Sequence, residues 1–82
     1  MKIARLYVSL KPDILDPQGK TIHHALEALN FDAVAGCRVG KYIELEFPNL
    51  PDEEIRSRVE KMCDRLLVNP VMESWRLEVV EG

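Results

Sequence analysis

Side chains between Lys2 and Leu10 alternate strictly, with Ala4, Leu6, Val8 and Leu10 on one face and Ile3, Arg5, Tyr7 and Ser9 on the other. A period of two fits a strand with one buried face and does not fit a helix. The constraint is tight because the chain has only 82 residues. A domain of that size buries only about 60% of the surface its unfolded chain exposes, so partners or self-association would help it. Lys11-Pro12 ends the strand, since proline donates no backbone N–H.

The next element is helical. Asp16 can cap orphan N–H groups, and Pro17 suits the first helical position. Ile22, Ala25, Leu26 and Leu29 then recur at i, i+3, i+4 and i+7, and Asn30 can take the left-handed conformation that closes such a helix. Val34 to Val39 and Tyr42 to Phe47 read as two strands around Gly40-Lys41, a pair that suits a type II′ hairpin. The register stays open. Pairing Val39 with Tyr42 sends Arg38 to the apolar face, whereas a longer loop buries Cys37. A second helix starts at Pro51, with Asp52, Glu53 and Glu54 at its electropositive end. Ile55, Val59, Met62, Cys63 and Leu66 line one side, Glu54 and Arg58 can pair on the other, and Asn69-Pro70 stops it. Trp75, Leu77 and Val79 alternate with Arg76, Glu78 and Val80 in a last strand.

That order predicts one α+β domain over residues 1–82: a ferredoxin-like βαββαβ two-layer sandwich, a four-stranded antiparallel sheet with two helices on one face. The other sheet face would carry Arg5, Tyr7, Tyr42, Glu44, Glu46, Arg76 and Glu78. It is either solvated or an interface. Tyr7 supplies apolar area there, and Arg5 and Arg76 can complement Glu44 and Glu46 across a two-fold axis, so these five are the candidate face for a homodimer or higher even oligomer.

Charge narrows the function. Eleven basic against 14 acidic residues give a net charge of −3, which argues against a nucleic-acid partner, since such binders need a dense positive surface. No apolar run nears the roughly 20 residues of a membrane span, and no signal-peptide pattern opens the chain. Cys37 and Cys63 lie far apart in apolar contexts, which suits a reducing cytoplasm better than a disulfide scaffold.

Chemistry-bearing patterns are sparse. Gly19-Lys20-Thr21 looks like the end of a phosphate loop, but the glycine required five residues earlier is Ile14, and Asp16 and Pro17 bring negative charge and remove a donor. His23 and His24 point about 100° apart on a helix and cannot grip one metal together. Neither cysteine has a CxxC partner, and none of Ser9, Ser57 and Ser74 sits in a nucleophile pattern. No catalytic or metal-binding residue is expected. What stands out is the loop LKPDILDPQGK at Leu10 to Lys20, holding Lys11, Asp13, Asp16, Gln18 and Lys20, together with the polar cluster Gly40, Lys41 and Tyr42. Polar loops on a rigid sheet are where contact residues gather, and these eight are the candidate partner interface.

LKPDILDPQGK, RVGKYIELEF at Arg38 to Phe47 and LLVNPVMESW at Leu66 to Trp75 together resemble the PurS family, the small subunits of phosphoribosylformylglycinamidine (FGAM) synthase. The resemblance spans nearly the whole chain. Departures are small: Thr21 and Val68 stand where alanine is frequent, and Trp75 where another aromatic is common. It implies an accessory subunit, non-catalytic by itself, of a purine-biosynthesis ligase. A separate large subunit would use ATP and Mg to activate the amide oxygen of formylglycinamide ribonucleotide. A separate glutaminase subunit would release ammonia, which replaces that oxygen to give the amidine. The small subunit, a dimer with no cofactor of its own, would bridge the two and assist the ammonia path. The alternative from another class is a free-standing dimeric ferredoxin-like module binding a small regulatory ligand.

Overall fold

A computed structural model describes residues 1–82. Three strands form one antiparallel sheet: β1 (Lys2–Leu10), β2 (Gly40–Phe47) and β3 (Glu73–Glu81), in the order β2-β1-β3. Two helices accompany them, α1 (Pro17–Ala28) and α2 (Asp52–Met62), the second continuing into a wide π-helical turn at Cys63–Leu67. In the centre Leu6 pairs with Ile43 on one side and Leu77 on the other.

The alternation of β1 builds the core as expected. Ala4, Leu6 and Val8 are buried against Ile55 and Val59 of α2, with Cys63 and Val68 closing one end. The inward residues of the outer strands, Ile43, Leu45, Phe47, Leu77 and Val79, pack around this cluster. Helix α2 begins with three acids, and Lys2 Nζ ties its start to β1 through Asp52 at 2.7 Å. Glu54 and Arg58 pair at 3.0 Å. Leu66 departs from expectation. It is exposed, because the π-turn adds a residue to the helical register and brings Leu67, not Leu66, against the core. The helical run ends before Asn69, whose Oδ1 accepts from Val71 N and Met72 N, while Glu73 Oε1 accepts from Asn69 N.

The sheet has three strands, not four. Gly40 and Lys41 are the first residues of β2, paired with Ser9 and Val8, so they cannot form a hairpin tip. A Cβ on Gly40 would lie 2.4 Å from the Val8 carbonyl oxygen, a close approach that requires glycine. The Val39 N–H is taken by Asp16 Oδ2 at 2.7 Å, and Val34 to Val39 runs outside the sheet. Neither register considered for the hairpin applies. Arg38 turns to loop carbonyls, and Cys37 is only half-buried.

The second difference concerns α1. Its caps form as the sequence indicates: Asp16 Oδ1 accepts from Gly19 N at 2.8 Å, and Asn30, at φ 70°, closes the other end. There Asn30 N donates to Glu27 O and Phe31 N to Leu26 O, a Schellman arrangement. Yet α1 contributes no residue to the core, and α2 alone covers the sheet. Ile22 and Leu29 remain 39% and 66% exposed. The molecule is accordingly long, 48 × 28 × 15 Å, with a radius of gyration of 16.1 Å, against about 12 Å for a compact chain of this length. Helix α1 and the returning segment form an arm that stands off the sheet.

Candidate functional site: a clamped loop and an open sheet face

The arm is fixed at its base by Asp16. This carboxylate is buried and accepts from both Gly19 N and Val39 N, one bond on each oxygen. Those two bonds, with the nearby Arg38 guanidinium, hold its pKa below the ordinary aspartate value, and desolvation opposes them without prevailing. Arg38 donates to the carbonyls of Ile14, Leu10 and Lys11 at 3.3, 3.2 and 2.9 Å, closing the loop on itself. Gly19 sits so close to the returning chain that a Cβ would lie 2.4 Å from the Cys37 carbonyl oxygen. Farther out, His23 Nε2 donates to the Val34 carbonyl at 2.8 Å.

The two polar segments singled out in the sequence do meet. Asp16, Gln18, Gly40 and Lys41 share a cleft of about 240 Å³ with Ser9 and Glu73. Asp13 and Lys20 lie on a second, open cleft of about 530 Å³ with His23 and Arg38. Lys41 approaches Glu73 at 3.8 Å, and Lys11 Nζ donates to Pro70 O at 3.1 Å, so both lysines also tie the loop end to the start of β3. Tyr42 does not join this group. One residue further along the strand, it points to the opposite face, its ring 5.1 Å from that of Tyr7 and its hydroxyl donating to Glu44. Arg38 and Glu73 also line these clefts, although alternation puts Arg38 within a strand, Val34 to Val39, and Glu73 just before the last one.

The face opposite α2 gathers the five residues expected there. Arg76 stacks over the Tyr7 ring at 4.3 Å, and Arg5 pairs with Glu78 at 3.3 Å. Glu44 and Glu46 stand on the outer strand beside Arg5 and Ile3. Arg5 Nε finds no acceptor within the chain.

No three of the His, Cys, Asp and Glu side chains come together as a metal cluster. Burial pushes the Cys63 thiol up, away from the reactive thiolate, with Asp64 and Glu60 adding to the effect. At the Gly19-Lys20-Thr21 segment, the N–H that a phosphate would use already holds the Asp16 carboxylate. No helix is long and apolar enough to cross a membrane.

Residues 3–81 match the family model described as PurS: Phosphoribosylformylglycinamidine (FGAM) synthase. The chain belongs to the PurS family. It is 43% identical over 77 residues to phosphoribosylformylglycinamidine synthase subunit PurS of Bacillus subtilis (strain 168), covering 94% of this chain and 90% of that one. The PurS subunit of Synechocystis sp. is also 43% identical, over 76 residues. Among solved structures, Bacillus subtilis PurS superposes with a TM-score of 0.88 at 42% identity, covering 99% of this chain and all of that one. A chain of PurLQS from Thermotoga maritima superposes with a TM-score of 0.84 at 31% identity, covering 98% and 99%. As a PurS chain, this protein is a subunit of FGAM synthase and acts in purine biosynthesis.

Proposed function

We propose that this chain is the assembly subunit that holds an ATP-dependent amidine-forming subunit and a glutaminase subunit in register and assists ammonia transfer between them. The chain itself carries no cofactor and turns over nothing; ATP, Mg and glutamine are handled by the partners. The reaction it serves replaces the amide oxygen of formylglycinamide ribonucleotide by ammonia after that oxygen has been activated with ATP. Ammonia released into bulk water is diluted and protonated, so fixed docking and a sheltered route favour the transfer. The observation that carries this reading is the clamped loop: Asp16 and Arg38 hold rigid a polar surface with no nucleophile–base pair and no metal cluster. Rigid loops lower the ordering cost of docking.

Lys11, Asp13, Gln18, Lys20, Gly40 and Lys41 are the proposed contacts to the two enzymes, with Asp16 as the residue that shapes them. The sheet face, with Arg5, Tyr7, Glu44, Glu46 and Arg76 and now also Tyr42, is proposed as a contact between copies, giving a homodimer or higher even oligomer. A cytoplasmic setting goes with this role and with two free cysteines. Co-purification from cells tests the assignment: the two enzyme subunits accompany the chain in fixed ratio. Recovery of the chain without either one contradicts it.

A further inference from the structure

Leu15 is an apolar side chain held out of the core by a loop that cannot turn it inward. It is 71% exposed and stands between two clefts. One is the open cleft of about 530 Å³ that also holds Asp13, His23 and Arg38; the other, of about 390 Å³, holds Pro17, Thr21 and His24. Lys20 is the other residue common to both. It is exposed and forms no ion pair within the chain. The surface is thus an apolar knob with a hollow on either side and a free cation beside it.

Single exposed apolar side chains are ordinary. What sets Leu15 apart is its backbone, tied immediately before and after it. Ile14 N donates to Lys11 O at 2.9 Å, and the Ile14 carbonyl is one of the three that Arg38 grips. On the other side, Asp16 is buried and bonded to Gly19 N and Val39 N. A side chain fixed in advance enters a complementary socket without a further ordering cost. An apolar centre within a polar rim is also the pattern of protein–protein contacts.

The occupant follows from shape and charge. A knob that projects between clefts fits a folded surface rather than a small molecule. A second copy matches poorly, because across a two-fold axis the patch would meet itself. Lys20 and the histidines would then face their own equivalents, with Asp13 the one acid available, since Asp16 is committed to two amides. We propose that Leu15 anchors the contact with an enzyme subunit by entering an apolar socket that carries a carboxylate at its rim for Lys20. The inference rests on the assembly role proposed above and deepens it, naming the anchor and the chemistry of the surface that receives it.

The test measures binding of the full-length chain to the amidine-forming and glutaminase subunits together, with the mass of the free chain read by sedimentation. Leu15→Ala weakens binding by about tenfold or more, the scale of a buried anchor. Leu15→Met, which keeps volume and apolarity, stays within about threefold of wild type. Lys20→Gln weakens binding by about two- to fivefold and flattens its salt dependence. Both side chains are exposed, so every variant keeps the wild-type circular dichroism and mass. Wild-type affinity in Leu15→Ala, an equal loss in Leu15→Met, or an altered mass of the free chain, which would make Leu15 a contact between copies, overturns the anchor and leaves the assembly role standing. Unchanged affinity and salt response in Lys20→Gln overturns the carboxylate at the rim. A wild-type chain that binds neither enzyme overturns the assembly role, and the anchor with it.

Discussion

Asp16 and Val39, 23 positions apart, are joined by a 2.7 Å hydrogen bond from the Val39 N–H to the carboxylate that also caps α1. One side chain thereby sets where the helix begins and where the returning chain enters β2. Asp16 also lines both polar clefts.

Protonation of Asp16 therefore loosens the arm. Its folded pKa lies below the ordinary value of 3.8, so its stabilising effect is present above that value and is lost as pH falls through the folded one. Protection of the Gly19 and Val39 amides, taken as the exchange rate relative to the intrinsic rate at the same pH, falls as the pH is lowered through the folded pKa of Asp16. In Asp16→Asn both amides exchange faster already at neutral pH, and the added acid response disappears. Unchanged protection at both amides in the variant contradicts this role.

Much of this was legible locally. The alternations of β1, β2 and β3 and the caps at Asp16 and Asn30 follow from period and turn chemistry within a few residues. The fourth strand failed because Gly40-Lys41 resembles a turn, and only the close approach of Gly40 to Val8 shows it to be paired within the sheet. Leu66 failed because the π-turn shifts the register by one residue, a change that helical periodicity does not signal. The apolar stripe of α1 is legible as a period, but Ile22 and Leu29 stay exposed in this chain, because periodicity does not say what such a stripe packs against. The Arg38 clamp needs residues 24 to 28 positions away in sequence and has no local signature.

Core and arm respond differently to truncation. Ile55 has no exposed surface and packs in the central cluster, so Ile55→Ala lowers the unfolding free energy by about 2–5 kcal/mol at any chain concentration. Leu29 is 66% exposed and belongs to no core cluster, so Leu29→Ala changes the unfolding free energy by no more than about 0.5 kcal/mol. Urea denaturation separates the two. A loss for Leu29→Ala of the size expected for Ile55→Ala would place the arm in the core of its own chain.

The isolated chain does not bind nucleotide at Gly19-Lys20-Thr21. The Gly19 N–H is already committed to a carboxylate, and a phosphate brought there meets negative charge. Calorimetric titration with Mg·ATP shows no heat of binding in the micromolar range. Saturable binding abolished by Lys20→Ala would revive a phosphate site.

The central claim, that the chain acts by bridging two enzymes, is tested most directly by reconstitution with the amidine-forming and glutaminase subunits. Product is measured with glutamine and then with concentrated ammonium as nitrogen donor, each with and without this chain. With glutamine, activity requires the chain and drops with Lys11→Glu or Lys41→Glu while the domain stays folded. With ammonium, which bypasses the glutaminase, the requirement largely disappears. Full glutamine-dependent activity from the two enzyme subunits alone contradicts the account.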